Sequence, residues 1–586
     1  MTIIDDYLEY QETYTSKYGK NTCVLMQIGH FFEAYGVDNE TEKLNAPNIY
    51  NLADIMNIQM TRKNKSVIGN SRSNPLMIGV NIYSIDKYIQ LLLNRGFTIV
   101  LIEQVTEPPE PERKVTNIYS PGTSINHLNK SDSNKCVCIY IETINKISSN
   151  KKQINIGLSS IDLSTGHCEI YETYSKIDDE KYSYDEVFRY IQNWNPKELV
   201  VIRNKCDETE AEISAYLELN NRIVHFKKYE SHYNNISYQT TFFEKIYRGD
   251  HGMLTIHEYL DIEKMPYATL CFIYLLEFSY NHNENILHRI EKPTIISNLE
   301  SLILTNNTIN QLNIVSNNYQ DSGAQIYDSL ISVIDKTKTS VGKRYLREML
   351  LNPITNIKEL NRRYDIIESL TDKDLCATIQ QLLAPIVDIQ RLHRKISLKL
   401  IQPADFIGLL TSYENILKLF ELCNGNIKLK HLIPNQATLD IFSKFISDIQ
   451  ATLDFEVIGK YHLDKITSSF FKKGIYKSID ATQQEIAYDY ECMTSMSVKL
   501  SKLVDDTNTR TVKLDRTDRD GHYLSITSKR LISLKKRLGN MKHIPIKINE
   551  KVSLKHEHLE FKAINKTQHR ITCKQLLNWS QCVRQN

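Results

Sequence analysis

The apolar pattern of this chain changes character near residue 290, and that change limits the available folds more than any single motif does. Before it, runs such as "CVLMQIG", "FTIVLIEQV", "CVCIYIETI", "INIGLSSIDLSTGHCEIYE" and "ELVVI" read as strands, with "YDEVFRYIQNW" as a helix among them. After it, "TNNTINQLNIV", "GKRYLREMLL", "NIKELNRRYDIIESL" and "QRLHRKISLKL" repeat apolar residues at three and four spacing, the signature of helices packed on one face. At 586 residues the chain exceeds what one hydrophobic core serves, so several domains are expected. The fold class is therefore multidomain α/β plus α. No fixed period links the helices, so a solenoid is not supported.

Punctuation divides the first part. "EPPEPERK", Glu107 to Lys114, is too rich in proline to continue a strand or helix and closes a small mixed α/β domain; "SPGT", Ser120 to Thr123, reads as a turn and "NKSDSN", Asn129 to Asn134, as a linker. A second texture change covers residues 465 to 560. There a long polar helix, "QQEIAYDYECMTSMSVKLSKLVDD", leads into "TVKLDRTDRDGHYLSITS", whose alternation and Asp-Gly turn predict a hairpin. A basic stretch follows: Lys529, Arg530, Lys535, Lys536, Arg537, Lys542 and Lys547, with no Asp or Glu between the first and the last. Leu531, Leu534 and Leu538 supply the apolar face of a short helix, so these basic groups project outward together.

Bulk charge is uninformative, because 72 Lys and Arg against 70 Asp and Glu leave only +2; a nucleic-acid surface has to be local. Eleven cysteines are scattered singly without CxxC or Cys/His spacing, which points to reduced thiols and no zinc site. The start, "MTIIDDYLEYQETYTSKYGK", shows neither a secretory signal nor a transit peptide. The longest apolar run, "ATLCFIYLLEFSY" from Ala268, is too short to span a bilayer and reads as a buried helix.

One stretch asks for more than a core. "MQIGHFFEAYG", Met26 to Gly36, sets Phe31 and Phe32 beside a lone carboxylate, Glu33, directly after a glycine and a histidine. Alone, Phe31, Phe32 and Tyr35 are equally read as core residues, since aromatic rings bury large apolar areas. The order of landmarks is more specific. With "MIGVNIYSIDKYIQLLLNRGF" and "VLIEQV" behind it, "ERKVTNIYSPGT" at the domain exit, "GLSSIDLSTG" beyond, then "DKTKTSVGKRYLREMLLNPITN", "QPADF" at Gln402 and "GHYLSIT" at Gly521, the chain resembles the DNA mismatch-repair MutS family over more than 500 residues.

The resemblance implies a mismatch-recognition domain over 1–125, a connector of RNase-H-like fold over 133–285, a long-helix core and lever over 290–464 and 561–586, and a β-containing clamp over 465–560. It also implies roles. An aromatic residue followed two positions later by Glu enters the minor groove at a mispair, and Phe31 and Glu33 match those positions; Phe32 between them packs inward. His30 stands where the family commonly has Asp. Lys529, Arg530, Lys535, Lys536 and Arg537 fall in the clamp and would hold phosphates, with Arg62 and Lys63 of "MTRKNK" as weaker candidates of the same kind. Asp162 is a single carboxylate, so no nuclease, catalytic residue or metal site is proposed despite the connector fold.

The family is a DNA-dependent ATPase, yet the phosphate-loop pattern GxxxxGK followed by Ser or Thr is missing from these residues. The three Gly-Lys pairs, Gly19-Lys20, Gly342-Lys343 and Gly459-Lys460, are followed by Asn, Arg and Tyr. ATP and magnesium are therefore expected only with an ATPase domain outside this sequence, and the chain itself is read as a non-enzyme, intracellular wherever DNA is replicated. The expected partners are duplex DNA with mispairs or small loops, a second MutS-like subunit or separately encoded ATPase part, and a MutL-like repair factor, with no membrane. Two alternatives stand beside this: an ATPase-less binder of DNA structure that competes with intact relatives, and an interaction scaffold for other repair factors.

Overall fold

The computed structural model describes residues 3–106, 111–125, 134–146, 151–176, 178–220, 222–247, 252–296, 302, 304, 306–315, 328–459, 468–505, 511–517, 521–540, 546–547, 553–554 and 558–585. They divide into two compact units, Met1–Pro434 and Asn435–Asn586. The architecture is mixed α/β followed by mostly helix, as the change of periodicity predicts.

In the first unit, strands β1 (Thr22–Ile28), β2 (Phe31–Asp38), β3 (Lys43–Leu44), β4 (Thr61–Arg62), β5 (Leu76–Asn81), β6 (Thr98–Gln104) and β7 (Arg113–Tyr119) form a sheet in the order β4-β5-β2-β1-β6-β7, with β3 paired to β2. β1 and β2 are an antiparallel hairpin and β1 runs parallel to β6. The helix Ile3–Tyr18 lies on one face, where the Tyr7 ring meets Tyr35 edge-on at 5.1 Å and the Tyr7 hydroxyl donates to the Val24 carbonyl at 3.1 Å. The helix Ala46–Met56 comes so close to β2 that a Cβ on Gly36 would lie 2.8 Å from Ile49, which explains the glycine closing the "FFEAYG" string. The Pro-rich cluster does not end this domain. Its first four residues lie outside the described residues, but Arg113 and Lys114 already belong to β7, which pairs with β6. Val115, Thr116 and Ile118 give that segment strand character that the proline content of the preceding residues obscures.

A second sheet follows: β8 (Lys135–Lys146), β9 (Lys151–Asp162), β10 (His167–Tyr174), β11 (Glu198–Asn204), β12 (Ile223–Lys228) and β13 (Thr294–Ile295), ordered β12-β11-β8-β9-β10-β13. The run "INIGLSSIDLSTGHCEIYE" is two strands, because Asp162 accepts from the Ser164 N–H at 2.9 Å and Gly166 takes φ +85° to turn the chain. The expected helix is present at Tyr182–Trp194 and crosses over to β11, which runs parallel to β8. The apolar run after Ala268 is the buried helix Pro266–His282. Its first turn is capped by the Glu172 carboxylate, which accepts from the Tyr267 and Ala268 N–H groups at 2.8 and 2.9 Å. Among the described residues no helix is long and apolar enough to cross a membrane. The unit continues through helices Ser340–Leu351, Ile357–Ser369, Lys373–Leu383, Ile389–Ser397 and Pro403–Asn424. The first stops just before Asn352-Pro353, as a proline requires of the residue preceding it.

The second unit is built on the 28-residue helix Lys477–Val504. Strands β14 (Lys513–Thr517) and β15 (Gly521–Thr527) pair as the predicted hairpin, although residues 518–520 of its turn lie outside the described residues. β16 (Ile546–Lys547) and β17 (Ser553–Leu554) pair separately, while β18 (Glu560–Ala563) and β19 (Gln568–Thr572) extend the first sheet to the order β14-β15-β19-β18. This sheet spans both sides of the 560/561 division. Its core joins Cys492, Met493, Met496 and Leu500 of the long helix to Leu531, Leu534 and Leu538 of the helix Ser528–Asn540, and to Leu576 and Trp579 of the helix Lys574–Gln585.

Candidate nucleic-acid interface

The hairpin β1–β2 turns through only Gly29 and His30, and Ile28 pairs with Phe31 across it. Strand alternation then separates two adjacent rings. Phe32 is 4% exposed and belongs to the core, whereas Phe31, on the other face at the strand's end, is 48% exposed. Glu33 shares the Phe31 face by period two and is half-buried. Its carboxylate accepts from the Tyr35 hydroxyl, and the phenol is held well above its usual range, first by burial and then by that bond, so it remains a donor. The residue opposite Glu33 on β5 is Gly79, where a Cβ would sit 3.5 Å from the Glu33 side chain. The absence of a side chain there leaves one flank of the carboxylate open. His30 is exposed at the turn itself, with its carbonyl accepting from the Ile82 N–H at 3.1 Å.

Arg62 and Lys63 are not brought to this spot. Arg62 pairs with Leu76 at the far end of β5, while Phe31 pairs with Asn81, a separation of about 17 Å at roughly 3.3 Å per residue. The Arg62 guanidinium donates to the Ile68 carbonyl, and Lys63 is exposed.

In the second unit, the helix Ser528–Asn540 buries Leu531, Leu534 and Leu538 and leaves Lys529, Arg530, Lys535, Lys536 and Arg537 exposed. Seven-residue spacing stacks Lys529 with Lys536 and Arg530 with Arg537, each pair about 10 Å apart along the axis. Lys535 lies on the other flank, its ammonium 5.0 Å from the centre of the Phe561 ring. Among the described residues no carboxylate forms an ion pair with Lys529, Arg530 or Lys536. Lys542 lies outside the described residues and Lys547 is on β16.

Other candidates resolve into structure. Asp162 also accepts from the Ser164 hydroxyl, so its carboxylate belongs to a turn. A cleft of about 1030 Å³ beside β10 is lined by charged groups, several of which already pair: Lys135 with Glu169, His167 with Glu291 at 3.0 Å, and Arg344 with Asp388 at 2.6 Å. At its base Arg394 donates to the carbonyls of Leu163, Ile286, His288 and Arg289, tying the helix Ile389–Ser397 to the second sheet. This is a seam between layers. Of the Gly-Lys pairs, Gly19 follows a helix and leads into β1, Gly342 opens a helix with its N–H on Thr339, and Gly459 ends a short one, with Lys460 outside the described residues; none lies in a loop that leads from a strand into a helix.

Comparison with known proteins meets this geometry from outside. The family profile for MutS domain I matches residues 7–127 and that for MutS domain III matches residues 307–584. A mutS homolog of Acanthamoeba polyphaga mimivirus, named as a DNA mismatch repair protein, is 30% identical over 616 residues, covering 99% of this chain and 54% of the relative. This chain belongs to the MutS family. The DNA mismatch repair protein MutS of Petrotoga mobilis is 25% identical over 76% of the chain and 48% of its own length, and that of Methanosarcina barkeri 22% identical over 89% and 54%. The chain spans about half the length of the curated relatives it matches. Both ends of the MutS resemblance thus carry a candidate surface: the Phe31 turn lies within the domain I match and the basic helix within the domain III match.

Gln27, Gln104 and Arg113 carry no role in the sequence pattern, although Gln104 and Arg113 lie in strings that carry the MutS resemblance and Gln27 immediately precedes another. The available signal was a glutamine at or next to the end of each of two mostly apolar strands, "CVLMQI" and "TIVLIEQ". A polar side chain where the apolar run stops has a partner to satisfy.

Proposed function

We propose that this chain binds duplex DNA carrying mispairs or small unpaired loops, with Phe31 entering the minor groove at the lesion and Glu33 facing the displaced base. The observation that carries the reading is Phe31 itself: an aromatic ring nearly half exposed at a strand end, beside a buried twin, in a protein whose relatives are named for DNA mismatch repair. An apolar wedge partly unstacks a base step and kinks the duplex at a cost of about a few kcal/mol, offset by added contact with the bent DNA. A mispaired base has already lost part of its pairing and stacking energy. The same wedge therefore separates damaged from intact duplex by deformability rather than by a base code.

Glu33 sharpens the choice. A carboxylate near phosphates is repelled unless a displaced base offers a hydrogen-bond donor, so it penalises docking on a correct pair. The five cations of the helix Ser528–Asn540 hold phosphates without reading sequence, and Arg62 and Lys63 add weaker backbone contact. In this reading ATP and magnesium are handled outside these residues, by a further domain or a separate chain, and a second MutS-like subunit and a MutL-like factor are the protein partners. Competition binding with duplexes that differ by a single mispair or a one-base loop tests the proposal. Preference for the mispaired duplex is the expected result, and equal affinity for both sinks it.

A further inference from the structure

A wedge acts only if it is held where it is needed, and the Gly29–His30 turn is held from outside. Hairpin tips ordinarily give their backbone polar groups to water. Here the Gly29 carbonyl accepts from the Gln27 side-chain amide at 3.1 Å, and the His30 carbonyl accepts from the Ile82 N–H at 3.1 Å. With its amide turned so that the oxygen faces the two donors beside it, Gln104 accepts from the Gly29 N–H at 3.2 Å and from the Arg113 guanidinium at 2.9 Å; in the opposite orientation its amide nitrogen donates instead to the Gln27 carbonyl at 3.3 Å. Three backbone polar groups of the turn are thereby fixed.

The three residues also fix one another. The Gln104 backbone N–H donates to the Gln27 side-chain oxygen at 3.0 Å, and Arg113 Nε donates to the Gln27 carbonyl at 3.0 Å. The result is a ring of bonds joining the ends of β1 and β6 to the start of β7, directly behind the turn. Gly29 sits at φ +60°, a left-handed conformation that a glycine adopts freely and that these bonds select from the many open to it.

We propose that Gln27, Gln104 and Arg113 are positioning residues that seat the turn and so set the place of Phe31 against DNA; this rests on the role assigned to Phe31 above. Seating the turn before binding removes the ordering cost that an unrestrained wedge would meet on insertion. Gln104 is the residue to test, because it is half-exposed and its one acceptor serves both Gly29 and Arg113. Gln104→Leu keeps the side chain's size and removes the acceptor; Gln104→Glu keeps the acceptor.

The first arm needs no DNA. Hydrogen exchange of the full 586-residue chain, followed by mass spectrometry of peptides over residues 27–33, should show exchange faster by roughly two- to tenfold in Gln104→Leu, the factor a missing hydrogen bond carries. Gln104→Glu should exchange as the wild type does. The second arm measures the ratio of affinities for mispaired and matched duplex, which should fall in Gln104→Leu and be retained in Gln104→Glu. Unchanged exchange in Gln104→Leu overturns the seat. Faster exchange with an unchanged ratio, in a wild type that does discriminate, overturns its link to recognition. A wild type that does not discriminate defeats the reading of Phe31, and with it the recognition role, while the exchange arm still decides whether the seat exists.

Discussion

The β1–β2 turn and the helix Ser528–Asn540 present opposite kinds of surface. At the turn one ring is exposed, its chain neighbour Phe32 is buried, and the backbone around it is bonded at three polar groups. On the helix the leucines are buried, but the five cations extend on flexible stems from a face that only has to be positive. Reading deformability needs a rigid probe whose position is fixed to a fraction of an ångström. Holding phosphates needs charge and reach, and tolerates motion.

The largest expected effect separates the two phenylalanines. Phe32→Ala should lower the stability of the first unit by about 3–5 kcal/mol, the usual cost of emptying a buried aromatic site, whereas Phe31→Ala should change it by less than about 1 kcal/mol. Urea unfolding of both variants measures this. Equal losses would mean that Phe31 is a core residue and would break the comparison.

Acid should weaken the first unit. His282, on the helix behind the first domain and packed against the Tyr18 ring, is held down to about 4 by burial, partly opposed by Glu198. Because the unfolded imidazole titrates near 6.5 and the folded one near 4, stability is fully present above about pH 6.5 and is lost progressively as the pH falls toward 4, on the order of 3 kcal/mol in all. Urea midpoints of the first unit between pH 7.5 and pH 4.5 should fall, and His282→Phe should flatten that fall.

On the helix, neutralising Lys536 and Arg537 together should reduce the slope of log affinity against log salt by roughly 0.9 for each phosphate no longer neutralised, for matched and mismatched duplex alike. Lys535→Ala should do less, since its ammonium already faces the Phe561 ring. A weakening confined to mismatched DNA would erase the division of labour between turn and helix. The smallest expected effect is none: ATP with magnesium, added to a complex of this chain on mismatched DNA, should leave the dissociation rate unchanged, because no Gly-Lys pair lies in a phosphate-binding loop. Release on addition would reveal a nucleotide site that the pattern does not show.

Much of this was legible in the sequence, for identifiable reasons. Period two places Phe31 and Phe32 on opposite faces, with the MutS resemblance indicating that Phe32 is the one turned inward, and period 3.6 separates Leu531, Leu534 and Leu538 from the intervening cations. The buried helix after Ala268 and the β14–β15 hairpin follow from the same rules. What escaped depends on residues distant in the chain. The seat behind the turn joins residues 27, 104 and 113, and no local pattern pairs Gln104 with Gly29 across 75 positions of sequence. Strand β7 was hidden by the prolines before it, and the distance between Arg62 and Phe31 is fixed only by the register of β5 between β4 and β2.

The most direct test of Phe31 as the wedge places the fluorescent base 2-aminopurine next to a mispair and compares the wild type with Phe31→Ala. Insertion of the ring unstacks the neighbouring base, so the wild type should brighten the probe on mispaired duplex, leave it dim on matched duplex and bind the mispaired one more tightly. Phe31→Ala should lose both the brightening and the preference while retaining weak, salt-sensitive binding to either duplex. Brightening and preference that persist in Phe31→Ala would contradict the assignment.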